Sequence, residues 1–340
     1  MAIVGGFDVH RNQITFDLLD TETGQLRRGE IRPATRSGLR RWLERFQGQD
    51  VAIALEACTG WRFIVEELEA AGLEAHLAEV ADTRALRGPK RRAKSDREDA
   101  RHLRELLQSG NLPESWIPPA EVQELRSLFR LRKTLVEDRT SWQQRIQAVL
   151  FHHGQPTRPR LLTRDCRAWL QGLRLSPTAR QQVEVALRMI DQLQQELAAL
   201  DQQLQEKARR LRGCQVLTRE LFGVGPYTAL ATVSELGDAA RFSSSRKAVR
   251  HVGLDVTVYQ SDGKRSRGRL SRQGSEVLRW ALYEASISAR LPSSPDHAYY
   301  MELSERVGQN RARLAESRKI LRRAYHLLRP LGHRAFEEVA

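Results

Sequence analysis

The sequence predicts a mixed α/β domain at the N-terminus followed by a mostly helical remainder. Three observations carry this. Residues 2–79 alternate period-two apolar runs with short amphipathic stretches, in the order strand, strand, strand, helix, strand, helix, strand, with a helix opening after them. Between 119 and 212 apolar residues return every three or four positions, the mark of long helices. From 213 onward helical periods resume between Gly and Pro breaks. A chain of 340 residues holds two or three domains with cores of their own. The breaks place them at 1–112, 119–212 and 213–340, with Leu112-Pro-Glu-Ser-Trp-Ile-Pro-Pro119 as the first boundary.

In chain order, the opening run Ala2–His10 reads as an apolar strand, and Ile14, Phe16 and Leu18 alternate with polar residues in a second. Thr21–Gly24 is a turn, and Glu30-Ile31-Arg32 resumes an extended run, giving three antiparallel strands. Ser37–Phe46 is a short amphipathic helix. Val51–Glu56 is an apolar strand that ends on a carboxylate, Trp61–Ala71 a helix stopped by Gly72, and Glu74–Glu79 a further short strand. Arg84–Lys94 clusters six basic residues around Gly88-Pro89 and reads as a loop. Lys94-Ser95-Asp96-Arg97-Glu98-Asp99-Ala100 then opens a helical pattern that runs through Leu103, Leu106 and Leu107.

The acids in this scaffold are placed informatively. Asp96 and Asp99 are three residues apart and share one helix face. An isolated pair of this kind is usually a solvated first turn that favours the helix N-terminus. Here, however, Asp8 and Glu56 interrupt the two apolar strands best suited to the centre of a sheet, and a buried charge is costly unless paired or metal-bound. Four carboxylates brought together suit one or two Mg²⁺ ions, which prefer oxygen ligands and assist in-line phosphoryl displacement. The basic stretch just before the acidic helix, with Arg87, Lys90, Arg91, Arg92 and Lys94, is placed to contact phosphates.

The middle of the chain carries Leu125, Leu128, Leu131, Leu135, Trp142, Ile146 and Val149 at helical spacing, interleaved with arginines. His152-His153 closes this helix and has no Cys or carboxylate partner at metal-ligand spacing. A Pro- and Arg-rich connection over 156–176 surrounds a short helix. From Thr178 to Arg212 a long helix repeats Ile190, Leu193, Leu197, Leu200, Leu204 and Leu211 with coiled-coil-like spacing, which an antiparallel pairing with the preceding helix also satisfies.

The last region opens with Gly223-Val224-Gly225 at the mouth of a helix, where backbone N–H groups face a phosphate, similar to a helix-hairpin-helix clamp. Residues 261–274 read as a glycine-punctuated basic loop with Ser261 at its start and Lys264, Arg265, Arg267, Arg269 and Arg272 along it. A loop serine is usually a turn former, and composition alone assigns Ser261 no catalytic role. Ser275–Ser288 is again helical, and a basic helix over Arg311–Arg329 ends the chain.

Lys and Arg number 56 against 42 Asp and Glu, a net charge of +14, which favours a polyanionic partner such as nucleic acid. Cys58, Cys166 and Cys214 are scattered without a C-x-x-C pair, which excludes a zinc site of recognisable spacing and fits a reducing compartment. No apolar run approaches the ~20 residues of a membrane span, and no secretory pattern opens the chain. The expectation is a bacterial cytoplasmic protein.

Taken together, Phe7-Asp8-Val9, Leu55-Glu56-Ala57-Cys58-Thr59-Gly60, Lys94–Ala100, Gly223-Val224-Gly225 and the run Ser261…Gly268…Gly274…Leu278-Arg279 resemble, in order and across nearly the whole chain, the DEDD transposases of insertion sequences, also described as bridge-RNA-guided recombinases. The resemblance implies an N-terminal domain of ribonuclease-H-like (RuvC-like) fold similar to Holliday-junction resolvases, a helical coiled-coil arm, and a mostly α C-terminal transposase domain. It implies that Asp8, Glu56, Asp96 and Asp99 bind Mg²⁺, two ions to a site. Ser261 matches the serine that attacks DNA and forms a phosphoserine link. The family acts on double-stranded target and donor DNA with a structured guide RNA. Its members act as tetramers, dimers of dimers, whose composite sites join the acids of one subunit to the serine of another. One departure stands out: Asp262 separates the serine from Gly263, where the family has Gly directly, which makes Ser266 a rival nucleophile.

The resulting expectation is a Mg²⁺-dependent, RNA-guided DNA recombinase. Its rivals are a metal-dependent Holliday-junction-type nuclease with no covalent intermediate, and a nucleic-acid-binding protein without catalysis. The presence of all four acids counts against the last.

Overall fold

The computed structural model describes residues 2–87, 95–158, 160–261 and 264–339. They divide into two compact units, 1–117 and 118–340.

The N-terminal unit is built on five strands: β1 Ile3–Val9, β2 Ile14–Asp20, β3 Leu26–Ile31, β4 Val51–Glu56 and β5 Glu74–Ala78. Their order in the sheet is β3-β2-β1-β4-β5. The first three strands are antiparallel, while β4 runs parallel to β1 and to β5. Four helices join them: α1 Arg36–Leu43, α2 Trp61–Ala70, α3 Val80–Leu86 and α4 Asp96–Gln108. The alternation of each strand sorts its residues between two faces. On one face Phe7, Ile14, Leu18, Ile53 and Leu55 pack with Leu39, Trp42 and Leu43 of α1 and Ile64, Val65 and Leu68 of α2. On the other, the small residues Ala52, Ala54 and Ala78, with Val4, receive Leu103 and Leu107 of α4.

Helix α3 lies where the sequence reads as the start of a basic loop. Glu79 caps it, accepting from the Asp82 N–H at 2.7 Å. The cap is a Glu rather than the usual Ser, Thr or Asp, so the start of the helix was not recognisable.

The second unit is mostly helical. Helices α5 (Ala120–His152) and α7 (Pro177–Arg210) flank the short α6 (Arg164–Gly172). Leu125 and Phe129 near the start of α5 share a core with Leu200 and Leu204 near the end of α7. Ile146 and Leu150 meet Val183, Ala186 and Ile190 at the other end, so the two helices are antiparallel. Ser176 and Pro177 start α7, the serine hydroxyl accepting from Ala179 N and the proline occupying the first turn. The helix stops at Arg210, earlier than its heptads suggest, because Leu211 turns extended and bridges to Glu338.

Beyond it lie α8 (Arg212–Glu220), α9 (Pro226–Leu236), α10 (Ser245–Val252), β6 (Val256–Ser261), β7 (Lys264–Leu270), α11 (Glu276–Ala285), α12 (His297–Val307) and α13 (Gln309–Leu328). Every residue of α9 from Thr228 to Leu236 is buried. Where a basic loop is expected from Ser261 to Gly274, β7 pairs back on β6 in an antiparallel hairpin, with Val258 opposite Arg267 and Ser261 opposite Lys264. Val256-Thr257-Val258-Tyr259 supplies the strand propensity. The partner strand, Lys-Arg-Ser-Arg-Gly-Arg-Leu, has no apolar alternation, and so hid its period. No helix among the described residues is long and apolar enough to cross a membrane.

Candidate functional site

Asp8 and Glu56 stand side by side. The parallel register pairs Phe7 with Leu55, and the next residue on each strand is an acid. Both lie at the carboxyl ends of neighbouring parallel strands whose onward connections diverge, β1 to β2 on one side and β4 to β5 on the other. In open α/β sheets this is the crevice where ligands bind. By alternation both acids share the sheet face of Gly6, Ala52 and Ala54, the face that α4 covers.

Helix α4 brings the second pair. Ser95 caps it, its hydroxyl accepting from Glu98 N at 3.3 Å, so Asp96 and Asp99 fall in the first turn, at the positive end of the helix. The helix comes close because β1 carries Gly6, where a β-carbon would stand 2.0 Å from the Ala100 carbonyl oxygen and 2.7 Å from the Arg104 nitrogen. An ion pair fixes its register: Arg104 Nε reaches Asp17 Oδ1 at 2.5 Å, and Arg28 holds Oδ2 of the same aspartate at 2.6 Å.

The outcome is a group of ligand atoms. Asp8, His10 and Asp96 each offer one such atom, and all lie within 4.8 Å of one another. His10 Nε2 stands 2.9 Å from Asp8 Oδ2 and 3.4 Å from Asp96 Oδ1. Asp99 is buried and accepts from Arg87 Nη1 at 2.5 Å. Burial pushes the Asp8 carboxyl above its ordinary range; His10 pulls it back, while Asp99 and Asp96 push it further up. Burial disfavours the His10 imidazolium, but Asp8 and then Asp96 outweigh this and raise its pKa. The Cys58 thiol is raised by burial first, then by Glu56 and Asp8, so all three share one electrostatic neighbourhood. Mutually unfavourable carboxylates, with an imidazole that can ligate once it gives up its proton, make a site that gains from a divalent cation.

The structure places the other residues singled out in the sequence as follows. Arg87 faces Asp99. Lys90, Arg91, Arg92 and Lys94 lie outside the described residues. Gly223 has φ +77, and a β-carbon there would fall 1.9 Å from Ser288 Oγ, so its glycine is explained by internal packing. Gly225 has nothing within 4 Å of such an atom and caps α9. Ser261 closes β6; Lys264, Arg265, Ser266, Arg267 and Arg269 lie along β7. Arg272 follows with φ 54, the one non-glycine positive φ among the described residues. Ser261 belongs to the C-terminal unit and the acids to the N-terminal one.

Sequence reading missed His10 and the Asp17–Arg104 pair. The signal for the first was its place two residues after Asp8, and for the second a charged residue inside the apolar run of β2.

The chain is similar to known transposases over both units. A profile for IS110-type DEDD transposases matches residues 5–153, and one for the transposases of the IS116/IS110/IS902 family matches 215–301. A Sinorhizobium fredii protein, y4qE, which bears a transposase name, is 30% identical over 217 residues, 63% of this chain and 52% of its own length. The transposase for insertion sequence element IS1328 of Yersinia enterocolitica is 24% identical over 242 residues, 69% of each chain. The transposase for element IS1111A of Coxiella burnetii is 23% identical over 239 residues, 66% of this chain and 64% of its own. The match thus spans about half of the first relative and about two thirds of the other two.

Proposed function

The chain belongs to the IS116/IS110/IS902 family of transposases, and on that premise we propose that it is an RNA-guided DNA recombinase that excises and inserts a mobile element. The observation that carries the proposal is the gathering of Asp8, His10 and Asp96 at the end of β1, beside Glu56 and under the first turn of α4. In this reading the N-terminal unit is a ribonuclease-H-like catalytic domain. Asp8, Glu56, Asp96 and Asp99 would hold Mg²⁺, two ions to a site, their hard oxygens suiting that cation. Bound there, the metal supplies Lewis-acid polarisation of a phosphodiester.

The chain's own groups do the rest. Asp8 and Glu56 present negative charge at the carboxyl ends of the central strands, and Arg87 neutralises Asp99. The Ser261 hydroxyl attacks phosphorus, one phosphorus–oxygen bond breaks, and the departing strand leaves as a 3′-hydroxyl that takes up the proton. The 5′ phosphate is then held as a phosphoserine diester. The number of phosphodiester bonds is conserved, so a different strand's hydroxyl can reverse the step without ATP. Ser266 is the rival nucleophile, because Asp262 shifts the glycine spacing.

The partners in this reading are double-stranded target and donor DNA, a structured guide RNA that selects them by pairing, and further copies of the chain. We read the tetramer as a dimer of dimers with composite sites. The α5–α7 pair acts as a coiled-coil arm for assembly, and Gly223-Val224-Gly225 with α9 as a helix-hairpin-helix-like backbone clamp. Arg87, Lys90, Arg91, Arg92, Lys94, Lys264, Arg265, Arg267, Arg269 and Arg272 provide phosphate contacts. The site of action is the bacterial cytoplasm.

The test is a denaturing gel of protein, Mg²⁺, labelled element-junction DNA and RNA transcribed from the element's flank. A denaturant-resistant protein–DNA band in wild type, absent from Ser261→Ala and Asp8→Ala, is expected. Cleavage without such a band, persisting in Ser261→Ala, would replace this reading with a metal-dependent Holliday-junction-type nuclease.

A further inference from the structure

The β6–β7 hairpin is tied at its root by one side chain. Arg279, on the first turn of α11, donates through Nη1 to three carbonyl oxygens, those of Val252 at 3.0 Å, Gln273 at 3.3 Å and Gly274 at 3.0 Å. Val252 precedes β6, whereas Gln273 and Gly274 follow β7. A single guanidinium nitrogen therefore joins both ends of the excursion. Arg318 of α13 adds a bond from Nε to the Leu254 carbonyl at 2.6 Å, and the Ser271 hydroxyl donates to Asp255.

The joint has no slack. Gly253 has φ +76, and a β-carbon there would stand 1.9 Å from the Gln273 carbonyl oxygen. Gly274 has φ +88, and its own would stand 2.0 Å from that of His251. Between them Arg272 adopts φ 54 without being glycine. Such conformations persist where the surroundings over-determine them, and they gather where geometry is put to use. Helix α11 does not depend on the clamp: Val277, Leu278, Ala281, Leu282 and Ala285 bury it in the core.

We propose that Arg279 is a positioning residue for strand transfer, holding the hairpin root so that the strand ending in Ser261 presents one geometry to the DNA. This rests on the reading of the hairpin serine as nucleophile. The arginine acts through the hairpin and touches no reacting atom.

The experiment compares wild type, Arg279→Met, Arg279→Lys and Ser261→Ala as full-length chains with Mg²⁺, junction DNA and flank RNA. It reads the single-turnover rate of the covalent adduct at saturating DNA, the DNA affinity, and amide hydrogen exchange over 254–271 and over α11. In Arg279→Met the rate should fall about 100-fold, the loss that a displacement of about 1 Å brings, with DNA affinity unchanged. Exchange should rise in the hairpin and not in α11. Because all three bonds leave one nitrogen, Arg279→Lys should recover the rate to within about tenfold, unlike a forked arginine site. An Arg279→Met adduct formed at the wild-type rate overturns the proposal alone. So does a folded Arg279→Lys with a protected hairpin and no adduct, a result that decides the matter even if the Met variant fails to fold. Absence of any adduct in wild type overturns the serine reading and this proposal with it.

Discussion

Arg104 of α4 and Asp17 of β2 form an ion pair whose side chains are 6% and 2% exposed, and it is the polar lock between the sheet and the helix that carries Asp96 and Asp99. Apolar packing on a face of Gly and Ala is smooth, so direction must come from such a contact. Arg104→Met leaves Asp17 buried beside Arg28 alone, itself half exposed. Removing one partner of a buried pair costs about 3–5 kcal/mol, and the remaining Arg28 places this case at the low end. Urea unfolding should show that loss. Asp17→Asn combined with Arg104→Met should be less damaging than the sum of the single changes.

Gly6→Ala tests the approach of α4 directly. Its new methyl would meet backbone atoms of Ala100 and Arg104, which cannot move without moving the helix. Overpacking of this kind costs about 1–3 kcal/mol, and here the helix also carries ligands. The expected result is a stability loss together with weaker Mn²⁺ binding, read by titration. Gly5→Ala is the contrast, since its methyl would meet the side-chain ends of Leu18 and Ile53. It should lower stability and leave metal affinity nearly unchanged.

The N-terminal strands and the long helices were legible because their apolar residues recur at periods of two and between three and four, and because Gly72 stands where a helix stops. Asp8 and Glu56 stood out against apolar neighbours, and Asp96 and Asp99 by their three-residue spacing on one helix face. His10 did not, because a lone histidine after a strand carries no periodic signal; only the fold sets it between Asp8 and Asp96. The β6–β7 hairpin escaped for a related reason. Its second strand carries four basic residues in seven and no apolar alternation, so no strand period showed in the sequence. Helix α12 was hidden by Pro292 and Pro295 just before it and by burying little more than Tyr300 and Leu303.

Metal removal should separate affinity from fold. A ligand that binds only the folded chain stabilises it by about 2.7 kcal/mol at a hundred times its dissociation constant. Mg²⁺ or Mn²⁺ should therefore raise the melting temperature, and EDTA should reverse the rise. Asp8→Asn removes a carboxylate that burial and its acidic neighbours disfavour. Without metal that variant should be at least as stable as wild type, yet show no metal-dependent rise. A rise of wild-type size in Asp8→Asn would place the cation elsewhere.

The contact of α12 with α13 predicts a pH dependence. Asp296 accepts from Lys319 and, at 3.0 Å, from Arg323 Nη2, so its charge is satisfied. Glu316 is 2% exposed in the same contact. Burial, and then the charge of Asp296, push its carboxyl from 4.5 up to about 7, against the pull of Lys319 and Arg323. The folded chain therefore keeps a proton that the unfolded chain has lost. This contribution is fully present below the unfolded value of 4.5, declines as pH rises toward about 7, and is gone above it. The total is on the order of 3 kcal/mol. Glu316→Gln keeps the shape and cannot ionise, so its stability should lack this slope. Urea unfolding across that window should give curves that meet near the acid end and separate toward about pH 8, with the variant the more stable. Parallel curves would show that Glu316 is ionised in the folded chain.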